Sequence, residues 1–226
     1  MKKVLALDFD HTLYDTDSFL FFEIRQPMLE KWNISKDIWE QAYENAVKVG
    51  YSLEAHHSEL CKLLDSEPFS LEELKDFEKN INFTKYLYSD VLPFLDEAKK
   101  RGYELVLLSF GAEDWQEKKV RGAGLHKIMD VIKYTKTEGG KKELLKKYEI
   151  DAENIIFVEN NGFELDAALR LSPRLKTYFI NRVIFLLEKG EMSDFMKERY
   201  SESRKIAEKS AILPHKRCQS LGEVIL

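Results

Sequence analysis

Two carboxylates two residues apart, Asp8 and Asp10, stand at the end of a short apolar run, Val4-Leu5-Ala6-Leu7. Burying one charge without a partner is costly, so a chain that sets two acids at the end of a buried strand has a use for them. Other apolar runs end in the same way. Ser109 follows Leu105-Val106-Leu107-Leu108, with Gly111 close behind. Glu159, Asn160 and Asn161 follow Ile155-Ile156-Phe157-Val158, with Glu164 a few residues on, and Lys141 and Lys142 open the helical stretch that leads into that run. If these runs are parallel strands, their ends converge on one rim. A nucleophilic carboxylate, a second carboxylate, a hydroxyl, a lysine and an acidic group then face one cavity.

Phosphoryl transfer needs this set. An Asp carboxylate can attack phosphorus and form an aspartyl-phosphate. A second carboxyl group can protonate the leaving oxygen and then activate water. Carboxylates and phosphate repel, so cations are required, and Mg²⁺ on hard oxygen ligands together with a lysine supplies them. Ser109 and nearby backbone N–H groups can hold the non-reacting phosphoryl oxygens.

The elements that must position these residues follow from the apolar pattern. Residues 4–7, 105–108, 155–158 and 177–180 read as short buried parallel strands, with a weaker fifth near 129–133. Helical stretches lie between them. One carries Phe94, Leu95 and Ala98 between Pro93 and Gly102, and another carries Leu144 and Leu145. Strands alternating with helices imply a doubly wound α/β sheet. Residues 15–89 break the pattern. They hold no strand-like run and are rich in aromatics at helical spacings, among them Phe19, Phe21, Phe22, Trp32, Trp39, Tyr43 and Tyr51. This predicts a helical insertion directly after the first strand, overhanging the site as a lid, with residues 1–14 and 90–226 forming the core.

The chain has 226 residues, 44% hydrophobic and 33% charged, which suits a globular core. A net charge of −5 argues against a nucleic-acid or membrane-surface binder, and His215-Lys216-Arg217 is too short a basic patch to reverse that. Only Cys61 and Cys218 occur, in no metal-type spacing, which fits a reducing compartment. The first apolar run stops at Asp8, short of a signal peptide, and no stretch reaches membrane-span length; residues 183–187 form the longest candidate. The expectation is a cytoplasmic protein. The mixed charges of 188–210 suit a solvated helix.

At these motifs the chain resembles the haloacid dehalogenase-like (HAD) hydrolases. Asp8-Phe9-Asp10-His11-Thr12-Leu13 is similar to the family's first motif, Ser109 to the second, Lys141 or Lys142 to the third, and Glu159-Asn160 through Ala168 to the fourth. The resemblance covers residues 1 to about 180 and extends to family members with a helical cap. It implies that Asp8 is the nucleophile and a Mg²⁺ ligand. Asp10 is then the acid/base, with its backbone carbonyl on the metal. Thr12 steadies the loop, Ser109 together with Thr12, Gly111 and Lys142 binds the phosphoryl group, and the lysine neutralises charge and orients Asp8. Haloacid dehalogenases proper lack the second acid, so Asp10 favours phosphate-ester chemistry. The fourth motif departs from the family: its usual second aspartate is Asn160, which offers Mg²⁺ a carbonyl oxygen but no charge. Glu159 or Glu164 would compensate as ligands.

Plainer readings stand beside these. Acids in a turn, a serine ending a strand, a lysine opening a helix and a capping glutamate are each common by themselves. Lys136 competes with Lys141 and Lys142. Lys141 is preferred because a glycine-led helix start suits a residue turned toward an anion. The adjacent His56 and His57 cannot share a metal on a helix and read as a solvated or partly packed pair. His11 reads as a loop-packing residue, and Phe19-Phe21-Phe22 as lid core. The expected function is a Mg²⁺-dependent phosphatase acting on a small phosphorylated metabolite. The alternative is a weak or inactive relative that binds a phosphorylated ligand or protein partner. A carbon–halogen or carbon–phosphorus hydrolase on the same scaffold is a more distant reading.

Overall fold

The computed structural model describes residues 2–137, 139–149, 152–182 and 211–226. The charged stretch 188–210 and the apolar piece 183–187 lie outside the described residues. Six strands form one parallel sheet: β1 (Lys2–Asp8), β2 (Tyr103–Phe110), β3 (Val131–Thr135), β4 (Ala152–Glu159), β5 (Lys176–Ile180) and β6 (Lys216–Cys218), in the order β3-β2-β1-β4-β5-β6. Alternate residues of each central strand enter two separate cores. Leu5, Leu7, Leu105, Leu107, Ile156 and Val158 face one; Val4, Ala6, Val106, Leu108, Ile155 and Phe157 face the other. Burial on both faces is why these strands read as unbroken apolar runs.

β1 lies between β2 and β4, where the strand order reverses. Asp8 pairs with Leu108 and Leu7 with Val158. One residue further along each strand, Ser109 and Glu159 therefore flank Asp8 at the C-terminal rim, the place where open α/β sheets bind ligands.

Between β1 and β2 the described chain is helical. Thr16–Phe19 (α1) runs through a π-helical stretch, Leu20–Arg25, into Gln26–Trp32 (α2); α3 (Lys36–Lys48), α4 (Leu53–Leu64) and α5 (Leu71–Lys79) follow. Ser35, Ser52 and Ser70 cap the last three, each accepting an N–H from the first turn. Their interior is aromatic: Trp39 stacks on Tyr43 at 5.4 Å, and Tyr51 and His56 close the group. His56 and His57 are both buried, contrary to a solvated pair, and take the Trp39 and Phe69 carbonyls as partners. Phe19 is core, whereas Phe22 is about half exposed.

The rest of the core comprises α6 (Val91–Lys100), α7 (Glu113–Gly122), α8 (Lys141–Glu149) and α9 (Gly162–Leu171). Buried Arg182 ties both crossings between core and helical segment: it donates to the Thr12 carbonyl at 2.9 and 3.1 Å and to Asp90 at 2.6 Å. Asp166 of α9 accepts the N–H groups of Ile212 and Leu213 and pairs with His215, whose other ring nitrogen meets Thr177. These bonds seat β6 on the sheet edge. No described helix is long and apolar enough to cross a membrane.

Candidate active site

Lys141 is the centre of the charged cluster. Its Nζ lies 2.5 Å from Asp8 Oδ1 and 2.6 Å from Glu159 Oε2. Asp8, Lys141 and Glu159 are only 4%, 3% and 1% exposed. Burial lowers the lysine's pKa, but the two carboxylates outweigh this and hold it above the ordinary lysine range. Burial and the neighbouring Asp8 push Glu159 up. Its contacts are nonetheless all donors: Lys141 on one oxygen, and the N–H groups of Asn160 and Asn161, both at 3.0 Å, on the other. The lysine reaches this point because α8 starts from a tight turn with Gly139 at φ +78°. Glu164 anchors that turn by accepting the Gly139 N–H at 2.6 Å.

Asn160 aims one end of its amide at three oxygens. Asp8 Oδ2, the Asp10 carbonyl and Glu159 Oε1 each lie 3.1 Å from one amide atom. Turned with NH₂ inward, Asn160 donates to these oxygens. Turned with its carbonyl inward, it completes a cluster of four oxygens that repel unless a cation joins them. The spacing suits Mg²⁺, since an octahedron with bonds of about 2.1 Å has edges of about 3.0 Å. Among the described residues no three Asp, Glu, His or Cys side chains form a metal cage. The donor set is therefore one carboxylate, one backbone carbonyl and one amide. Such a sparse set is within Mg²⁺ habits, because the ion keeps waters and takes substrate phosphate oxygens. Glu159 and Glu164, expected as ligands, are instead engaged with Lys141 and Gly139.

The Asp10 side chain turns away from this cluster. Its Oδ1 accepts from Lys119 Nζ at 2.6 Å and Thr16 Oγ1 at 2.5 Å, and its Oδ2 from Gln116 Nε2 at 2.9 Å. Burial raises its pKa, but Lys119 and these hydrogen bonds outweigh that and bring it below the ordinary aspartate range. Sequence reasoning missed Gln116 and Lys119. Their one signal was a spacing of three residues on a helix that starts just after Gly111, which puts both on one face. His11, at φ +62°, holds its Nδ1 3.6 Å from Asp17.

The model of the haloacid dehalogenase-like hydrolase family matches residues 5–174. The chain belongs to that family. Among proteins of curated function none matches it. Similar solved structures share its fold. One is a putative haloacid dehalogenase-like hydrolase from Burkholderia xenovorans, with TM-score 0.70 and 20% identity over 99% of this chain and 97% of that one. Another is the L-2-haloacid dehalogenase of Xanthobacter autotrophicus with chloropropionic acid covalently bound, at TM-score 0.63 and 19% identity over 99% and 96%. A third is a putative HAD-hydrolase of Bacillus subtilis bound to magnesium, at TM-score 0.60 and 13% identity over 98% and 96%.

The remaining expected residues of this HAD hydrolase divide into two groups. Ser109, next to Asp8 across the sheet, and Thr12 are fully buried, and neither hydroxyl makes a hydrogen bond among the described residues. Gly111, Lys142 and Lys136 stand apart from the charged cluster. The Gly111 N–H donates to the Thr135 carbonyl at 3.0 Å and is not free for a phosphoryl oxygen. Lys142 is half-buried with no described ion pair, and Lys136 is exposed. Lys136 instead lines a cleft of about 680 Å³ between residues 48–54 of the helical segment and 110–118 of the core, walled by Phe110 and Trp115.

Proposed function

We propose that this hydrolase cleaves a small phosphomonoester through an aspartyl-phosphate on Asp8, with Mg²⁺ as cofactor. The observation that carries the reading is the convergence of Asp8 Oδ2, the Asp10 carbonyl and the Asn160 amide next to a carboxylate already paired with Lys141. A phosphoryl group approaching Asp8 meets the buried hydroxyl of Ser109 on the neighbouring strand. An Asp8 oxygen bonds to phosphorus as the bond to the leaving oxygen breaks. Asp10, a carboxylate in the free protein, takes up the proton of the substrate's phosphate monoanion and passes it to that oxygen. The resulting carboxylate takes a proton from water, whose oxygen attacks phosphorus and releases phosphate and free Asp8. Lys141 holds Asp8 in place and offsets its charge. A divalent cation on Asp8, the Asp10 carbonyl and the Asn160 carbonyl would offset the charge of the phosphoryl oxygens.

The test is phosphate release from a panel of phosphorylated metabolites with Mg²⁺. Asp8→Asn should lose turnover by about 10⁴-fold or more; a variant with full turnover would refute the assignment. Chloride release from 2-chloropropionate belongs in the same panel, because haloacid dehalogenases share the fold; Asp10 argues against that chemistry here. A second reading rests on Asn160. With NH₂ inward it satisfies all three oxygens without a cation, and the protein would bind a phosphorylated ligand without turning it over. Calorimetric titration with Mg²⁺ separates the two, since absence of binding up to millimolar levels favours the second.

A further inference from the structure

Asp10 is the acid/base of the proposed reaction, yet the residues that fix its carboxylate come from none of the motifs. Lys119, one turn into the second half of α7, is 3% exposed. Its Nζ lies 2.6 Å from Asp10 Oδ1 and 5.4 Å over the Phe9 ring. A buried ammonium is unfavourable unless paired, and Asp10 is the carboxylate that pairs it. Gln116, one turn earlier on the same face, is also buried. Its Nε2 donates both to Asp10 Oδ2 at 2.9 Å and to the Phe110 carbonyl at 2.8 Å. Gly111, at φ +135°, leaves room for this: a Cβ there would lie 2.8 Å from that same Nε2. One amide group thus links Asp10 to the end of β2, which carries Ser109. Between these two residues and the helical segment stands Trp115, whose ring touches Phe19, Tyr51 and Phe83.

We infer that Gln116 and Lys119 are positioning residues, a two-point clamp that holds the Asp10 carboxylate in register with the end of β2, where Ser109 stands. The inference rests on the phosphatase reading for its kinetic consequence but not for its geometric one. α7 reaches both oxygens of Asp10, and Thr16 of α1 adds a second donor to Oδ1. A methionine at 119 fills much of the lysine's volume and removes its grip; a leucine at 116 removes the other. Arginine at 119 keeps a donor and a charge.

The experiment pairs kinetics with crystallography on the full chain. Lys119→Met and Gln116→Leu should each lower kcat by about 10-fold or more while KM stays within 2-fold, and Lys119→Arg should recover part of the loss. In crystals of Lys119→Met, the Asp10 carboxylate should leave its wild-type position while Asp8, Lys141 and Ser109 keep theirs. An unmoved Asp10 carboxylate overturns the inference, and so does an unchanged kcat in a folded variant. If wild type releases no phosphate from any substrate, the phosphatase reading fails, and the Asp10 position in the variant crystals still decides this one. If Lys119→Met does not fold, Gln116→Leu, which leaves the ion pair intact, decides by the same two readouts.

Discussion

Two buried polar centres in this molecule obey opposite rules. At the sheet rim, a buried lysine, Lys141, is paired with two carboxyl groups, those of Asp8 and Glu159. In the helical segment, His56 is equally buried but has only neutral partners, the Tyr51 hydroxyl and the Trp39 carbonyl, inside a ring of aromatic side chains. Burial favours the uncharged form at both. It wins at His56, whose pKa falls to about 4, and it loses at Lys141, which two carboxylates hold protonated. The difference shows that depth in the protein does not decide the charge of a group. The partners within hydrogen-bond reach decide it. One centre holds a charged lysine deep in the sheet rim, and the other joins two helices through neutral partners.

Removing the rim's cation should break that contrast most severely. Lys141→Met leaves two buried carboxylates facing each other, and the expected cost is about 3–5 kcal/mol of folding stability, read by urea denaturation. Glu159, which burial and Asp8 push up, takes a proton more readily than an ordinary glutamate, and its protonation relieves the repulsion, so the deficit should shrink as pH falls.

The helical centre should respond in the acid range. The folded pKa of His56, about 4, lies below its unfolded value of 6.5. The unfolded chain therefore takes up the proton first, so stability is whole above about pH 6.5 and falls as pH drops from there toward 4, by on the order of 3 kcal/mol. His56→Gln should flatten that limb of the stability–pH curve. The Lys141 contribution runs the other way: it is complete below the ordinary lysine pKa and is lost only as pH rises through the raised folded value.

The smallest expected change sharpens the comparison at the rim itself. Asn160→Asp adds a negative charge where Asp8 Oδ2, Glu159 Oε1 and the Asp10 carbonyl already meet. Calorimetry should show Mg²⁺ bound about 10-fold more tightly, a gain of about 1.4 kcal/mol. Without Mg²⁺ the variant should melt at a lower temperature than wild type.

The strands that carry the site were legible because each is apolar on both faces, and the doubly wound parallel sheet expected from them is the observed one. Their polar ends gave the candidate residues directly. What stayed hidden depends on contacts between distant segments. Gln116 and Lys119 sit on a helix rich in charge, where a buried lysine looks no different from a solvated one. β6 is three residues long and begins with Lys216-Arg217, which reads as a basic patch. Glu164 accepts a backbone N–H at Gly139, 25 residues away in sequence, which no local pattern reveals.

The way β6 is fastened has a consequence for the protein's behaviour in concentrated solution. A parallel sheet whose border strand came loose would present β5 with unpaired backbone groups, a template for pairing with neighbouring molecules. Asp166, through two backbone N–H groups and a histidine, keeps that border sewn shut. One side chain on α9 thereby holds in place the three-residue strand that covers β5.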